Sequence, residues 1–379
     1  MLSSPHGGNL ISVQELDPED ALTFDSGTRV RIKDDMRSTI RLISRGVYSP
    51  LKGFNNSDDL RSILKEQRLS NGTIWSMPIL LPVSESIYPS LSEGDEALLS
   101  DRLGPVATIT ISDKFKLDLR DTCRLIFGTD NSQHPGVSRF LENGNHFVGG
   151  DLINVFGYKL PFHERVMYPK ETRKYFERMG WKNVVAFQTR NIPHLGHEFI
   201  HLKALESHDG LFINPVIGRK KSGDFRDEAI VAAYDAILKY HYPEGRVLIS
   251  PINYEMQYAG PREALHHAIM RKNFGASSFI VGRDHAGTGN FYGPFDAQIN
   301  CDSFGDLGIN ILKFEEASYC RKCNTVSFTG DCNHDPCDRL KFSGTDVRRM
   351  MVSGSAIENI SVREEVLNSV RKINPMFQD

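Results

Sequence analysis

The sequence predicts an α/β protein: a doubly wound parallel-sheet domain, preceded by a mainly β domain and followed by a small cysteine-bearing helical tail. Three observations carry this. Between about 166 and 314, short apolar runs alternate with segments of helical period, the pattern of strands joined by crossover helices. Ahead of that, residues 1–165 lack the alternation and read as short strands with turns. Behind it, in 315–379, four of the six cysteines fall within eighteen residues, which points to a metal site more than to a disulfide framework. At 379 residues the chain is long enough for two or three such units.

In the first unit, residues 73–83 are expected to form a strand, with Pro78 and Pro82 placing it at a sheet edge. Residues 96–100 and 106–111 flank Asp101-Arg102-Leu103-Gly104, a hairpin pattern. In the second unit a helix over 169–179 leads to a buried strand at 183–187. A helix follows over about 193–207, with Leu195, Phe199, Leu202 and Leu205 as its apolar stripe. Then come a strand at 211–217, a polar loop at 218–224, and a helix over about 225–240 whose apolar face is Ile230, Ala233, Tyr234, Ile237 and Leu238. A strand at 247–249, a helix at 262–273 and a strand at 279–281 complete the alternation.

A doubly wound sheet binds ligands beyond the carboxyl ends of its strands. Two loops with binding chemistry fall there. In Phe187-Gln188-Thr189-Arg190-Asn191-Ile192-Pro193-His194-Leu195-Gly196-His197, Asn191 suits a helix cap and Pro193 a first turn. His194 and His197 then share that turn, where backbone N–H groups and about half a positive charge of helix dipole face outward. That combination is an anion site with imidazoles attached. His201, one turn on, reads as a surface or satisfied core histidine. After the last strand, Gly282-Arg283-Asp284-His285-Ala286-Gly287 offers two glycines for close backbone approach, and donors from Arg283 and His285. Further on, Ser343-Gly344-Thr345-Asp346-Val347-Arg348 begins a helix whose cap hydroxyls and Arg348 are placed to meet phosphate, although such a cap more often has no ligand.

In the tail, Cys320-x2-Cys323 precedes Cys332 and Cys337, with His334 between the last two. The spacing fits a structural zinc knuckle, because four protein ligands leave no open position. Either Cys337 or His334 completes the set, with Cys337 favoured because its four-residue spacer lets the chain turn back. Cys123 and Cys301 lie alone and read as small buried hydrophobes. A formal net charge of −3 excludes a global attraction to nucleic acid or anionic membrane, so any anion site must be local. No stretch is long and apolar enough for a membrane span and the N-terminus lacks a signal-peptide pattern, which leads us to expect a cytoplasmic protein.

The string His194-x-Gly196-His197 resembles the signature of the nucleotidyl-transferring α/β superfamily, which includes class I aminoacyl-tRNA synthetases and small adenylyltransferases. The longer Gln188-Thr189-Arg190-Asn191-x-x-His194-x-x-His197 is narrower and resembles ATP sulfurylase (sulfate adenylyltransferase). So do Pro5-His6-Gly7-Gly8, the 48–54 and 134–137 segments, the 258–264 segment and the 282–287 loop. The resemblance implies a PUA-like β-barrel for 1–165, a nucleotidyltransferase domain for 166–314, and structural zinc in the tail. It implies conversion of ATP and sulfate to adenylyl sulfate (APS) and pyrophosphate, reversibly. Gln188, Arg190 and the Ala286 N–H would hold sulfate, and Thr189, Arg190 and Asn191 would steer in-line attack. His194 and His197 would hold phosphate oxygens. Gln188, Asn191, Gly282, Arg283, Asp284, His285 and Arg348 would bind nucleotide, with Mg²⁺ arriving on ATP. The family forms homo-oligomers, so a dimer is expected. No G-x-x-x-x-G-K-[ST] string occurs, so the kinase domain fused to some relatives is absent. Two rivals differ in class: an adenylyltransferase for an organic phosphate, and a non-catalytic RNA-binding protein using the β domain and knuckle.

Overall fold

The computed structural model describes residues 2–22, 28–220, 222–342, 344–353 and 361–378. Lys221 of the 218–224 loop and Ser343 therefore lie outside the described residues, as does the side chain of Thr345, so neither expected cap hydroxyl is among what the structure describes. Among the described residues no helix is long and apolar enough to cross a membrane.

The N-terminal sheet contains β1 (Gln14–Leu16), β2 (Thr28–Arg31), β3 (Gly53–Phe54), β4 (Leu81–Pro82), β5 (Glu96–Asp101), β6 (Gly104–Lys116) and β7 (His146–Phe156). Its order is β1-β7-β6-β5-β2, with β3 and β4 both pairing with β7. The β5–β6 hairpin closes with Asp101 opposite Gly104, where the sequence placed it. Residues 73–83 do not form one strand. Only Leu81–Pro82 pairs with β7, and Ile74 makes an isolated bridge to Arg68. Pro78 and Pro82 have no N–H to continue a ladder. Helices α1 (Met36–Ser44), α2 (Ser57–Glu66), α3 (Leu119–Phe127) and α4 (Pro135–Leu141) flank this sheet.

The second sheet is wholly parallel: β8 (Val184–Thr189), β9 (Gly210–Ile217), β10 (Val247–Ile249), β11 (Ile252–Asn253), β12 (Ser278–Val281) and β13 (Asn310–Lys313). Its order is β10-β9-β8-β12-β13, with β11 also on β9. From β8 the chain therefore builds outward one way through β9 and β10, then returns to build the other way through β12 and β13. The switch point falls between β8 and β12, which brings the loops after those two strands together.

β8 is buried along its whole length, and alternate residues enter different cores. Val184 and Ala186 join a core continuous with the N-terminal domain, while Val185 and Phe187 join one on the opposite face. Helices α5 (Pro169–Arg178) and α8 (Pro261–Phe274) pack into the first of these cores; α7 (Asp227–His241) packs into the second. The domains are stitched across α8: Asn273 accepts from the His6 N–H at 2.8 Å and donates to the carbonyls of Val47 and Ser49 at 2.9 and 3.0 Å.

Two stripes differ from expectation. In α6 (Leu195–Leu205) the buried residues are Gly196, Glu198, His201, Ala204 and Leu205, while Leu202 is exposed. The reason is the tail, which covers this helix: Glu198 receives Arg363 at 2.6 and 2.9 Å, and Phe199 meets Phe328 with ring centroids 4.9 Å apart. In α7, Leu238 is exposed while Ile230, Ala233, Tyr234 and Ile237 are buried as expected. Cys123 and Cys301 are buried, as expected. After α9 (Asp296–Asp302), the tail forms an antiparallel sheet of β14 (Ala317–Cys320), β15 (Thr325–Phe328) and β16 (Arg339–Lys341), followed by α10 (Gly344–Ser353) and α11 (Glu364–Arg371).

Candidate active site

Beyond Thr189 the chain turns and enters α6. The cap is His194, whose Nδ1 accepts from the His197 N–H at 3.1 Å. Asn191, the expected cap, sits in the preceding turn, where its N–H donates to Thr189 Oγ1 at 3.1 Å. An imidazole Nδ1 reaches the helix N–H groups much as an asparagine oxygen does, so either residue can serve. Because Nδ1 accepts, the proton of the neutral ring resides on Nε2. The His194 and His197 rings are nearly parallel, with centroids 3.7 Å apart. Burial drives the His194 imidazole down to about 4 and His197 well below its ordinary range, with neighbouring His194 and His201 adding to the latter. Both rings are neutral at neutral pH, and they offer N–H donors rather than fixed charge.

Arg190 lies on the other side of the turn, over the Tyr258 ring at 5.0 Å. Its Nε is 4.0 Å from Asp224 Oδ2, and Asp224 is wholly buried. A second guanidinium, Arg348 of α10, reaches both Asp224 Oδ1 at 2.6 Å and Asn191 Oδ1 at 3.1 Å. The tail helix thus meets the motif turn at one buried carboxylate. Arg190 Nε, Asp224 Oδ2, Gln188 Oε1 and His197 Nδ1 are buried without hydrogen-bond partners. Orphaned polar atoms cost about 1–3 kcal/mol each, and these four gather at one switch point, with Arg190 Nε and Asp224 Oδ2 facing each other at 4.0 Å.

Gln188 joins the two loops through α8. Its Nε2 is 3.1 Å from His267 Nε2, and His267 Nδ1 is 3.1 Å from His285 Nε2. His267 is backed by Glu263, whose carboxylate also accepts from the Tyr254 hydroxyl and from the Gln257 and Ala259 N–H groups. The 282–287 loop carries Asp284 and Ala286 at φ 53° and 57°, and Tyr258 opposite stands at φ 60°. Left-handed backbone in residues with side chains is strain of the kind that clusters at functional sites. Of the expected residues, His285 and Ala286 turn inward. Arg283 and Asp284 are exposed, with Arg283 held by Glu316 at 2.9 Å. Gln188, Thr189, Arg190, Asn191, His194, His197 and Arg348 gather around the turn. Asp224 and His267 are additions that the sequence did not single out; each arrives from a distant segment by packing alone, and a lone Asp or His carries no local signal. Tyr258 opens the 258–264 segment named for the resemblance, but its place against Arg190 was not expected.

In the tail, the ligand atoms of Cys320, Cys323, Cys332 and His334 all lie within 4.8 Å of one another. His334 Nδ1 is 3.5, 3.2 and 3.6 Å from the three sulfurs, and Cys323 and Cys332 sulfurs are 3.8 Å apart. A tetrahedral zinc site with ordinary bond lengths has edges of about 3.5–3.8 Å, so the donor set fits zinc. The Cys323 N–H, above all, holds the Cys320 thiol down at about 6, in the direction of the thiolate a metal takes. Cys337, favoured from its spacing, is not part of the group. Asp335 accepts the Cys337 N–H at 2.9 Å and caps a short 3-10 turn beginning at Pro336, which leaves Cys337 exposed and outside the group, while the His334 ring, also exposed, lies against the three sulfurs.

A parallel sheet with its motif loops meeting at the switch point, and neutral imidazoles at the N-terminus of the first crossover helix, defines a nucleotidyltransferase-type α/β domain. Comparison narrows the class. A family model described as ATP-sulfurylase matches residues 163–373, and one described as a PUA-like domain matches residues 3–156. The sulfate adenylyltransferases of Ignicoccus hospitalis and Pyrococcus abyssi are 43% and 42% identical to the chain, each alignment covering 100% of both sequences. That of Chloroflexus aurantiacus is 39% identical over 98% of this chain and 97% of its own. A solved structure described as a hexameric APS kinase from Thiobacillus denitrificans shares the fold at a TM-score of 0.75 and 22% identity, covering 99% of this chain and 69% of that one. The chain belongs to the ATP sulfurylase family.

Proposed function

We propose that the protein joins sulfate to the AMP moiety of ATP, releasing pyrophosphate and forming APS, and that it runs this reaction in both directions. Arg190 carries the reading: a largely buried guanidinium at the switch point, set between Tyr258 and Asp224, with Nε lacking a hydrogen-bond partner. Sulfate is already a dianion, so it needs no base to activate it. The difficulty is bringing two anions together, and positioning with charge neutralisation is the chemistry required. Gln188, Arg190 and the Ala286 N–H receive sulfate, and Thr189, Arg190 and Asn191 align it behind the α-phosphorus. His194 and His197 donate N–H to the phosphate oxygens as pyrophosphate departs. The 282–285 segment and Arg348 hold the nucleotide. Mg²⁺ travels with ATP and neutralises its phosphates; phosphates and water suit it better than a protein cage.

The three units are 1–165, 166–314 and 315–379, and zinc sits on Cys320, Cys323, Cys332 and His334. We place the enzyme in the cytoplasm as a homo-oligomer, a dimer by default, serving sulfate assimilation; its partners are these substrates and products, with no nucleic acid and no membrane. The test is pyrophosphate release from ATP with sulfate, with selenate and with no anion, together with APS in the sulfate arm and AMP in the selenate arm. Selenate shares sulfate's shape and charge, and its adduct hydrolyses, so ATP should be consumed to AMP and pyrophosphate with it as well. Formation no faster than in the anion-free control overturns the proposal, and a requirement for an organic phosphate transfers it to the rival adenylyltransferase. A second expectation concerns zinc: about one ion per chain, whose removal by a chelator lowers the melting temperature and loosens residues 315–342 first in hydrogen exchange. Metal-free protein with an unchanged melting temperature would rule zinc out as a structural element.

A further inference from the structure

The tail places a side chain directly on the site. Phe342 follows β16 immediately, and its ring lies 12° from parallel to His194, with centroids 5.5 Å apart. His194 in turn stacks on His197, and His197 lies 14° from parallel to His201, at 6.2 Å. Four rings therefore form one column. Its inner end is tied where His201 Nδ1 meets the Tyr242 hydroxyl. Its outer end is Phe342.

Gly196 shows how tightly that outer end is built. A Cβ there would lie 2.7 Å from Phe342 Cδ2 and 3.1 Å from two atoms of the His194 ring. A glycine inside a helix costs about 1 kcal/mol against alanine. The cost is borne at a position where Phe342 and His194 together leave no room for a methyl group. Among the described residues, one hydrogen bond fixes the His194 ring, from the His197 N–H. That bond leaves the ring free to rock about the Nδ1 contact unless a surface closes the outer face.

Phe342 reaches this place through the metal cluster. β16 pairs antiparallel with β14 so that Arg339 lies opposite Cys320 and Lys341 opposite Ser318. The Arg339 guanidinium donates to the Cys332 and His334 carbonyls, the latter at 3.3 Å. The strand that ends at Phe342 is thus fastened at its start to the loop carrying two of the four candidate ligands. Two residues after Phe342, α10 begins and carries Arg348 to Asn191 and Asp224.

We propose that Phe342 is a positioning residue for His194, and that the C-terminal cysteine–histidine knuckle acts on the reaction by holding Phe342 against that ring. This rests on the reading of the site as one that transfers AMP. The knuckle is then part of the machinery that orients an N–H donor at the departing phosphate, in addition to being a stabilising clip. An imidazole free to rock loses part of its alignment with the leaving group, which shows in the chemical step more than in the affinity for ATP.

The test compares Phe342→Ala and Phe342→Tyr with the parent protein, all in the metal-loaded state. Sulfate-dependent pyrophosphate release is measured alongside metal content, melting temperature and the ¹H–¹³C spectrum of the imidazoles. The His194 Cε1–H signal is assigned by its loss in His194→Gln. Phe342→Ala should lower kcat about 10- to 100-fold with KM for ATP changed less than about 3-fold, and Phe342→Tyr should restore kcat to within about 3-fold. The His194 signal should move in the alanine variant as the aromatic ring current disappears, and return in the tyrosine variant. The proposal is overturned if the metal-loaded alanine variant keeps the parent's kcat, if tyrosine fails to restore it while the His194 signal is restored, or if the His194 signal is the same in all three proteins. A parent protein without sulfate-dependent activity would instead overturn the functional reading. In that case the imidazole signal still reports whether Phe342 sets the ring.

Discussion

Arg190→Ala should abolish sulfate-dependent turnover while leaving the fold standing. The side chain is about four-fifths buried, at 19% exposure, and its Nε, framed by Tyr258 and Asp224, makes no hydrogen bond. Removing a preorganised donor of this kind typically costs about 2.7–4 kcal/mol in the transition state, a 10²- to 10³-fold loss, and a charged donor facing a dianion belongs at or above the upper end. Stability should suffer little by comparison. Arg190 approaches Asp224 no closer than 4.0 Å, whereas Arg348 holds the same carboxylate at 2.6 Å and remains to pair with it. Arg190→Lys keeps the charge but not the planar fork, and should recover only a small part of the activity. Pyrophosphate release and thermal unfolding measured on the same preparations decide the matter. Undiminished turnover in folded Arg190→Ala would remove this guanidinium from the mechanism.

The second large effect is loss of stability in mild acid. Of thirteen histidines, eight are held below their ordinary range, in every case chiefly by burial: His6 and His194 at about 4, His201 and His266 at about 3, His134 lower than usual, and His197, His267 and His285 well below. Unfolding returns each imidazole to about 6.5, so between that value and its folded one the unfolded chain binds more protons. Stability then falls as pH falls, from about 6.5 down toward 4. Each such group removes up to about 1.4 kcal/mol per pH unit. His201, His266 and His267 are at most 1% exposed. At pH 5 His201 and His266, both at about 3, would alone withdraw about 4 kcal/mol, against a typical total of about 5–15, and His267 acts in the same direction. Among the described residues two carboxyls oppose the trend, because burial raises both Glu255, to about 7, and Glu263, and they add stability as pH falls; they are outnumbered. The melting temperature should drop steeply between pH 6.5 and 5, with net proton uptake on unfolding. A flat profile over that range would contradict the neutral, buried state assigned to these imidazoles.

The central sheet and half of the site were legible from sequence because their signals are local. A fully buried strand such as β8 reads as an apolar run, and the residues that cap its following helix must lie within a few positions of it. His194 and His197 could be placed at a helix N-terminus for that reason, even though the capping atom is His194 Nδ1 and not Asn191. What escaped was assembled at a distance. Asp224 comes from the loop after β9, His267 from the middle of α8, and Tyr258 from the segment before it; each meets the motif turn only once the sheet has brought the elements together. The α6 stripe misled in the same way, since its covering partner is the tail and not the sheet. Spacing favoured Cys337 over His334, but a capped turn at Asp335 and Pro336 decides which side chain faces the three sulfurs.

The row of contacts from Gln188 through His267 to His285 has a direction. If His267 carries its hydrogen on Nδ1, it donates to His285 Nε2, and its own Nε2 accepts from the Gln188 amide, which leaves Gln188 Oε1 buried without a donor. Turn the amide over and every arrow reverses. His285 then donates, His267 donates onward, and Gln188 presents its NH₂ in place of that oxygen, with no heavy atom required to move apart from the exchange of amide oxygen and nitrogen. An oxyanion offers only lone pairs, so one bound beside Gln188 would select the second arrangement. Through two imidazoles, an anion at the end of one strand would dictate which nitrogen bears hydrogen at the end of its neighbour.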